Sequence, residues 1–354
     1  MTRETASIVA QRLHNQRITA AAAGSPASVV AWMGAVQAQE YGPAKWGLGV
    51  RASQHTTDRA VERAFARGQI LRTHLLRPTW HFVTAADIRW ILELTGPQVH
   101  RAMASYLGRL GLNASVMNRA VDIIQHALSE SGYLTRRELS SHLERSRLPC
   151  RSIQLAHIVM YAELEGLICS GPRRGKQFTY ALLADRAPNA RRLPRDEALA
   201  ELTRRYLRSH GPATVRDLVW WSGLRTADAK RGLEMNGAKS VDVDGVRYWT
   251  LGRRSRAYRQ RSAVHLLPIY DEYLVAYRDH HAVPRPAYLL GNFQHALVIA
   301  GHVAGTWRTR PRGSELLLEL VPSRPLTGRE RDELPRVVTR YSRFLGVAVS
   351  WLIK

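Results

Sequence analysis

Gly211–Leu251 reads GPATVRDLVWWSGLRTADAKRGLEMNGAKSVDVDGVRYWTL, and the order of its local signals decides the fold. A Gly-Pro start and a Thr214 cap open a helix that Ser222-Gly223 closes. RTADAKRGLEMN is the next helical run, and KSVDVDGVRYWTL alternates about Asp244-Gly245, a strong two-residue hairpin signal. Upstream, EALAELTRRYLRSH is apolar at helical spacing. Helix, helix, helix and hairpin from about Asp196 to Leu251 predict a winged helix-turn-helix.

Working outward, a second copy of that order spans about Ser115 to Leu183, where NRAVDIIQHALSESG and LTRRELSSHLE precede RSIQLAHIVMYAELEGLI and a basic-tipped hairpin, CSGPRRGKQFTYALL. A plain helical bundle with a β-ribbon is the alternative for either copy; two matching copies weigh against it. The N-terminal third is less regular: ETASIVAQRLHNQ, PASVVAWMGAVQAQ and TTDRAVERAFARGQ are helical and LRTHLLRPTWHFV has hairpin composition. It reads as a third copy. Beyond about Ser262 the segments become strand-like, with a final helix GRERDELPRVVTRYSRFLG, and predict a small, partly closed antiparallel barrel whose Gly301, Gly305 and Gly313 suit turns. The expected class is α+β: three winged-helix modules at 1–112, 113–190 and 191–260, then a β-rich domain at 261–354.

The chain has 354 residues, and 52 Lys+Arg against 29 Asp+Glu give a formal net charge of +23. Such an excess attracts polyanions, and counterion release from phosphates would drive association, so nucleic acid is the expected partner. Part of the arginine bias can reflect genome composition; the net excess is the stronger signal. No run reaches the roughly 18 apolar residues of a spanning helix, and MTRETASIVAQRLHNQ lacks the apolar core of a secretion signal. A soluble cytoplasmic protein, associated with the nucleoid and without a membrane partner, is expected. Cys150 and Cys169 are too few for a disulfide framework or an all-cysteine metal site.

Trp32–Arg51, WMGAVQAQEYGPAKWGLGVR, presents Gln37 and Gln39 one residue apart before a Tyr-Gly-Pro break. On a continuous helix i and i+2 point about 200° apart and could not converge on one ligand. Unwinding near Ala38, expected because Pro43 disfavours helix before it, would let them converge. The alternative is that both glutamines solvate a helix end.

Four stretches together resemble a known family: Gln37-Ala38-Gln39, LRTHLLRPTWHFVTAADIRWIL with its RxTxH pattern, LLPIYDEYLVAYRDH, and VAGTWRTR. They are similar to motifs of the winged-helix DNA glycosylases of the AlkZ and YcaQ types, and the Gln-apolar-Gln pattern points to the AlkZ type. The resemblance covers residues 30 to 310. It implies tandem winged helices and a β-rich domain forming a concave DNA-binding scaffold. The activity it implies is hydrolysis of the N-glycosidic bond of N7-alkylated guanine in double-stranded DNA, including unhooking of azinomycin-type interstrand crosslinks, without metal or cofactor.

That chemistry suits two amides. An N7-alkylguanine already carries positive charge, so its C1′–N9 bond is weakened without a general acid, and what remains is to hold a water beneath C1′. A carboxamide oxygen accepts from water and its NH2 donates to a sugar or phosphate oxygen, but it is no effective base. Normal purines should therefore be excised little. Gln39, nearer the break, is expected to hold the water and Gln37 the sugar side.

Arg77, Thr79 and His81 alternate and share one strand face, where they would contact phosphate or sugar; a solvated hairpin face is the alternative. Trp307, Arg308 and Arg310 read either as a basic hairpin tip that enters a groove or as an ordinary sheet edge. Asp271 and Glu272 are candidates for arginine-paired structure at least as much as for catalysis. Asp279, His280 and His281 lack metal-ligand spacing, so no metal is expected. RYWTLGRRSRAYRQR is either a phosphate-tracking run or a solvated basic linker. The rival function is a non-catalytic winged-helix transcription regulator, reading bases with RTADAKRGLEMN and usually dimeric; the glycosylase reading expects a monomer.

Overall fold

The computed structural model describes residues 2–19, 24–148, 151–252, 264–286 and 294–354. The N-terminal third runs α1 (Arg3–Asn15), α2 (Pro26–Met33), β1 (Val36–Gln37), α3 (Tyr41–Arg51), α4 (Asp58–Ala66), β2 (Ile70–Leu75) and β3 (Arg77–Thr84), with α5 (Ile88–Arg109) leading out. Its sheet has the order β1-β3-β2, so the short strand carrying Gln37 is an edge. Next come α6 (Ala114–Ser131), β4 (Leu134–Thr135), α7 (Arg136–Arg145), α8 (Ser152–Leu164), β5 (Ile168–Ser170), β6 (Thr179–Leu182) and α9 (Leu183–Arg186). A separate apolar cluster, including Ile124, Leu139, Leu143 and Ile158, forms beneath α6, α7 and α8.

The stretch around Thr214 forms α10 (Arg195–His210), α11 (Val215–Ser222), α12 (Thr226–Met235), β7 (Lys239–Val243) and β8 (Val246–Thr250). Local chemistry explains its boundaries. Thr214 Oγ1 accepts from Asp217 N–H at 3.1 Å while Asp217 Oδ2 accepts from Thr214 N–H at 2.9 Å, a reciprocal cap. Gly223 ends α11 at φ 70°, and Asp244 and Gly245, at φ 50° and 78°, make the tight turn that sets the β7–β8 register. Of the basic run 247–261, residues 253–261 lie outside the described residues.

The C-terminal part comprises β9 (Val264–Leu267), α13 (Glu272–Val275), β10 (His295–Ile299), β11 (His302–Arg312), β12 (Glu315–Pro322), α14 (Gly328–Leu345) and β13 (Val349–Ile353). The expected partly closed antiparallel barrel is instead an open sheet in the order β13-β12-β11-β10-β9, and β13 pairs with β12 in parallel. The physical reason lies in α14, whose buried Leu334, Val337, Tyr341 and Phe344 join the apolar cluster of this sheet. The sheet buries its face against a helix, so it need not curl onto itself. Gly301 and Gly313 stand at turns, but Gly305 lies within β11 at φ 151°, where an added Cβ would come 2.3 Å from Val321 O.

One apolar cluster contains both N-terminal residues, such as Val30, Trp46 and Phe82, and C-terminal ones, such as Leu266, Trp307 and Phe344. The two ends of the chain therefore share a core. Trp46 Nε1–H donates to Leu266 O at 2.7 Å, and Arg340 donates to the carbonyls of Gly49 and Val50. At Gly49 an added Cβ would meet the Phe344 ring at 2.7 Å, so α3 and α14 approach as closely as glycine permits. This union brings residues 271–272 behind residue 37.

Candidate active site

Gln37 lies in the short strand β1 and Gln39 in the bend just beyond it, and neither is the unwound end of a helix. α2 stops at Met33, Gly34 turns the chain at φ 84°, and β1 follows. Gly42-Pro43 is not the cause: both residues lie in the first turn of α3, where the missing N–H of proline is harmless. Pairing with β3, not helix breaking, therefore sets the backbone that carries both glutamines.

The pairing is tight. Gln37 lies opposite His81 in the β1–β3 register, and Ala38 N–H donates to Trp80 O at 2.7 Å. Arg72 Nε donates to Ala38 O at 2.9 Å and its Nη2 to Gln39 O at 3.2 Å, so the carbonyls along the strand are held from β2. Arg72 is itself fixed by stacking, 4.3 Å from the Trp80 ring centroid and 4.9 Å from that of Phe178. The side-chain oxygens are also placed: Arg77 Nη2 donates to Gln37 Oε1 at 2.9 Å, and Trp80 N–H donates to Gln39 Oε1 at 3.3 Å. Fixed oxygens fix the amide planes. Neither NH2 group has a hydrogen-bond partner among the described residues.

Behind the strand lies Glu272, which is 1% exposed. Its Oε1 accepts from Gln37 N–H at 2.6 Å, and its Oε2 accepts from Trp221 Nε1–H at 3.0 Å and stands 3.2 Å from His210 Nε2. Burial alone would raise its pKa, but the hydrogen bond and charge of His210, and the Gln37 amide, bring it down to about 2. Asp271 plays a different part: Arg51 grips both its oxygens, at 2.8 and 2.7 Å, in the interior. The adjacent acids thus divide between an arginine-paired strut and a carboxylate facing the glutamine strand.

The other candidates separate by exposure. Arg77 touches Gln37. His81 is fully buried, so it supports the strand from within and does not reach phosphate or sugar. Its Nδ1 faces Thr79 O at 2.9 Å, and a carbonyl only accepts, so Nδ1 carries the proton. Burial first and the charge of Arg77 second push its pKa down to about 4, which keeps it neutral near pH 7. Thr79 is half-buried, with no partner for its hydroxyl among the described residues. Trp307 is also buried: its Nε1–H donates to Leu267 O at 2.9 Å and its ring stacks 4.4 Å from His295. It anchors the base of the β11–β12 hairpin and does not present itself to DNA.

Arg308 and Arg310 do project from that hairpin. Both face Glu319, at 2.7 and 3.0 Å, and Lys354 reaches the same carboxylate at 3.0 Å. One carboxylate against three cations leaves this face positive. Among the described residues no group of three or more His, Cys, Asp or Glu could hold a metal ion, and no described helix is long and apolar enough to cross a membrane.

Sequence reasoning missed Arg72, Trp80, His210 and Trp221 as site-builders. Arg72 had a signal, a cation inside the β2 run ILRTHL, all six residues of which are buried. His210 and Trp221 had none, because they meet Glu272 only through tertiary packing.

The chain thus combines a strongly basic, mixed α/β scaffold with two placed carboxamides, one on an edge strand and one just beyond it. The chain belongs to the AlkZ-like DNA glycosylase family: the family model described as DNA glycosylase AlkZ-like matches residues 30–344. It is thus a hydrolase of N-glycosyl bonds. It is similar to the Interstrand DNA cross-link repair glycosylase of Streptomyces sahachiroi, 24% identical over 329 residues, with 85% of this chain and 86% of that protein covered. The solved structure of Streptomyces sahachiroi DNA glycosylase AlkZ matches with a TM-score of 0.80 at 22% identity, over 100% of both chains, and shows the same fold.

Proposed function

We propose that the protein excises cationic N7-alkylguanine from double-stranded DNA, interstrand crosslinks included, and that Gln37 and Gln39 steer the attacking water. One observation carries this reading: both carboxamides stand beside β3 with their oxygens anchored by Arg77 and Trp80 and with their NH2 groups without partners among the described residues. The C1′–N9 bond breaks with its electron pair moving to the guanine, which leaves neutral. Water adds to C1′, and its proton passes to solvent. The amides contribute by positioning, because orientation and not basicity is what a departing cationic base still requires.

Gln39 is the water holder in this proposal. Its oxygen is the less engaged, at 3.3 Å from its donor against 2.9 Å for Gln37, so it accepts from water more readily. Gln37 then offers its NH2 to the sugar side. The scaffold would act as a monomer, with three winged-helix modules at 1–112, 113–190 and 191–260 and the domain at 261–354 arranged around a concave DNA surface. The lesion would sit in an open site, since a crosslink joined to both strands could not enter a closed one.

The regulator reading has less support. Asp228 and Arg231 of α12 pair with Arg195 and Asp196 of α10, which commits two charged groups of the base-reading candidate. The decisive experiment incubates the protein with duplex containing N7-methylguanine and scores abasic sites by alkaline cleavage. Product should form and fall sharply with Gln37→Ala or Gln39→Ala. Undiminished release by the double variant would sink the proposal, and sequence-dependent binding without product would favour the regulator.

A further inference from the structure

Beside Gln37 stands a cluster of which the proposed mechanism uses only the Arg77–Gln37 hydrogen bond. The guanidinium carbons of Arg77 and Arg278 each lie 5.2 Å from the ring centroid of Trp220, which is 41% exposed and held by its Nε1–H bond to Val275 O at 2.9 Å. Arg285 belongs to the same neighbourhood: burial first and the charge of Arg77 second push its pKa down to about 10. Arg77 Nε and Arg285 Nε are both buried without a hydrogen-bond partner among the described residues. None of the three arginines is ion-paired to a carboxylate among the described residues, although many other arginines of this chain are, as Arg51, Arg205 and Arg308 show.

Partly desolvated guanidiniums without a counter-ion are costly, and gathering them raises the repulsion between them. They are also misplaced for the reaction. A cationic base and a sugar that becomes cationic would meet this positive charge, and Glu272, the carboxylate bound to the Gln37 amide, is sealed behind the strand. An anion brought by the substrate resolves both difficulties. DNA carries one at every nucleotide, and the planar guanidinium fork fits phosphate oxygens. Trp220 keeps two of the forks in place before DNA arrives.

We propose that Arg77 and Arg278, gathered at Trp220, together with Arg285 near Arg77, seat one backbone phosphodiester adjoining the lesion nucleotide, and that this phosphate supplies the negative charge supporting the sugar cation at Gln37. The inference rests on the glycosylase reading for its second half; the seat itself does not. Arg77 is shared between seat and glutamine, so phosphate binding also tightens the amide plane. Nothing covalent happens at the phosphate.

The test replaces, one at a time, the phosphates flanking an N7-methylguanine with neutral methylphosphonates, and measures both the dissociation constant and the single-turnover rate. At one position the wild-type protein should lose at least about tenfold in affinity, and Arg285→Ala and Arg278→Ala should each lose a similar factor on unmodified DNA. Combined, the two changes should cost no more than either alone, the signature of a shared contact. Arg285→Lys should recover part of the loss, and melting curves show that each variant is folded; Arg278, on the surface, gives the same reading if Arg285 variants melt early. Losses that multiply at every flanking position overturn the seat. If no base is released but the affinities fail to add, the seat stands and the glycosylase mechanism falls. If affinity behaves as expected while the rate at saturation ignores the methylphosphonate, the charge-supplying half is wrong.

Discussion

The glutamine strand and the β11–β12 hairpin are both stretches that a reader of the sequence would assign to DNA, yet they are built in opposite ways. Around residues 37–39 the neighbouring groups are accounted for from the protein: the carbonyls of 38 and 39 by Arg72, the amide of 37 by Glu272, the amide of 38 by β3, the side-chain oxygens by Arg77 and Trp80. At the hairpin only the base is fixed, through buried Trp307, and residues 310–315 are exposed. Chemistry on a single bond needs placement to a fraction of an ångström. Holding a polyanion needs charge that can adapt.

The comparison is broken if variants of the two regions fail in the same way. Removing both amides, Gln37→Ala with Gln39→Ala, should reduce the single-turnover rate by on the order of 10²-fold or more, the scale on which misplacement alone acts, with DNA affinity nearly unchanged. A matching loss of affinity would mean that the strand grips DNA and does not merely orient water.

Glu272→Gln sharpens the distinction. The backbone amide of Gln37 and the indole N–H of Trp221 donate to Glu272, and a glutamine offers one acceptor oxygen where the carboxylate offers two. One buried donor is left unmet, a loss of about 1–3 kcal/mol of stability. The strand loosens from behind, so excision should fall about tenfold while affinity holds. An unchanged rate in a destabilised but folded variant would show that the support from Glu272 is structural only.

Arg308→Ala and Arg310→Ala should act on the other axis. Each should weaken binding a few-fold and lower the slope of log K against log salt by about 1, leaving the rate at saturation intact. A rate effect at saturating protein would make the hairpin part of the chemistry.

The smallest effect is a pH dependence from the buried side of the strand. His81 titrates near 6.5 when unfolded and near 4 when folded. Its contribution is therefore complete above about 6.5 and is lost as pH falls toward 4, because the unfolded chain takes up the proton first. The melting temperature should decline over that window, and His81→Asn, whose NH2 can still donate to Thr79 O, should lessen the decline, the remainder coming from His280 and His295, which burial also pushes down to about 4. A decline confined to pH below 4 would assign it to carboxylates such as Glu272, pushed down to about 2.

Legibility followed the range of the interactions. The α10–α12 helices and the β7–β8 hairpin were readable because caps, a left-handed glycine and an Asp-Gly turn act within a few residues. The spacing of Gln37 and Gln39 was also readable, but the backbone that carries them was not: sequence pointed to an unwound helix before Pro43, and the structure turns on Gly34 and on pairing with β3. Likewise GTWRTR was read as a basic hairpin tip or a sheet edge, whereas its arginines lie within β11 short of the turn at Gly313, and which of its residues faces inward depended on α14 and β10 packing over Trp307.

Charge, motif order and local turns were determined by the sequence alone, because each depends on composition or on neighbours along the chain: a polyanion partner, the places where helices begin and hairpins close, and the two amides as a pair. Tertiary structure decided that the chain ends share one core, that the sheet stays open beneath a helix, and that Glu272, 235 residues from Gln37, sits at its amide. The physical reason is that such contacts arise from burying apolar faces against whichever partner completes them, and no local propensity names that partner.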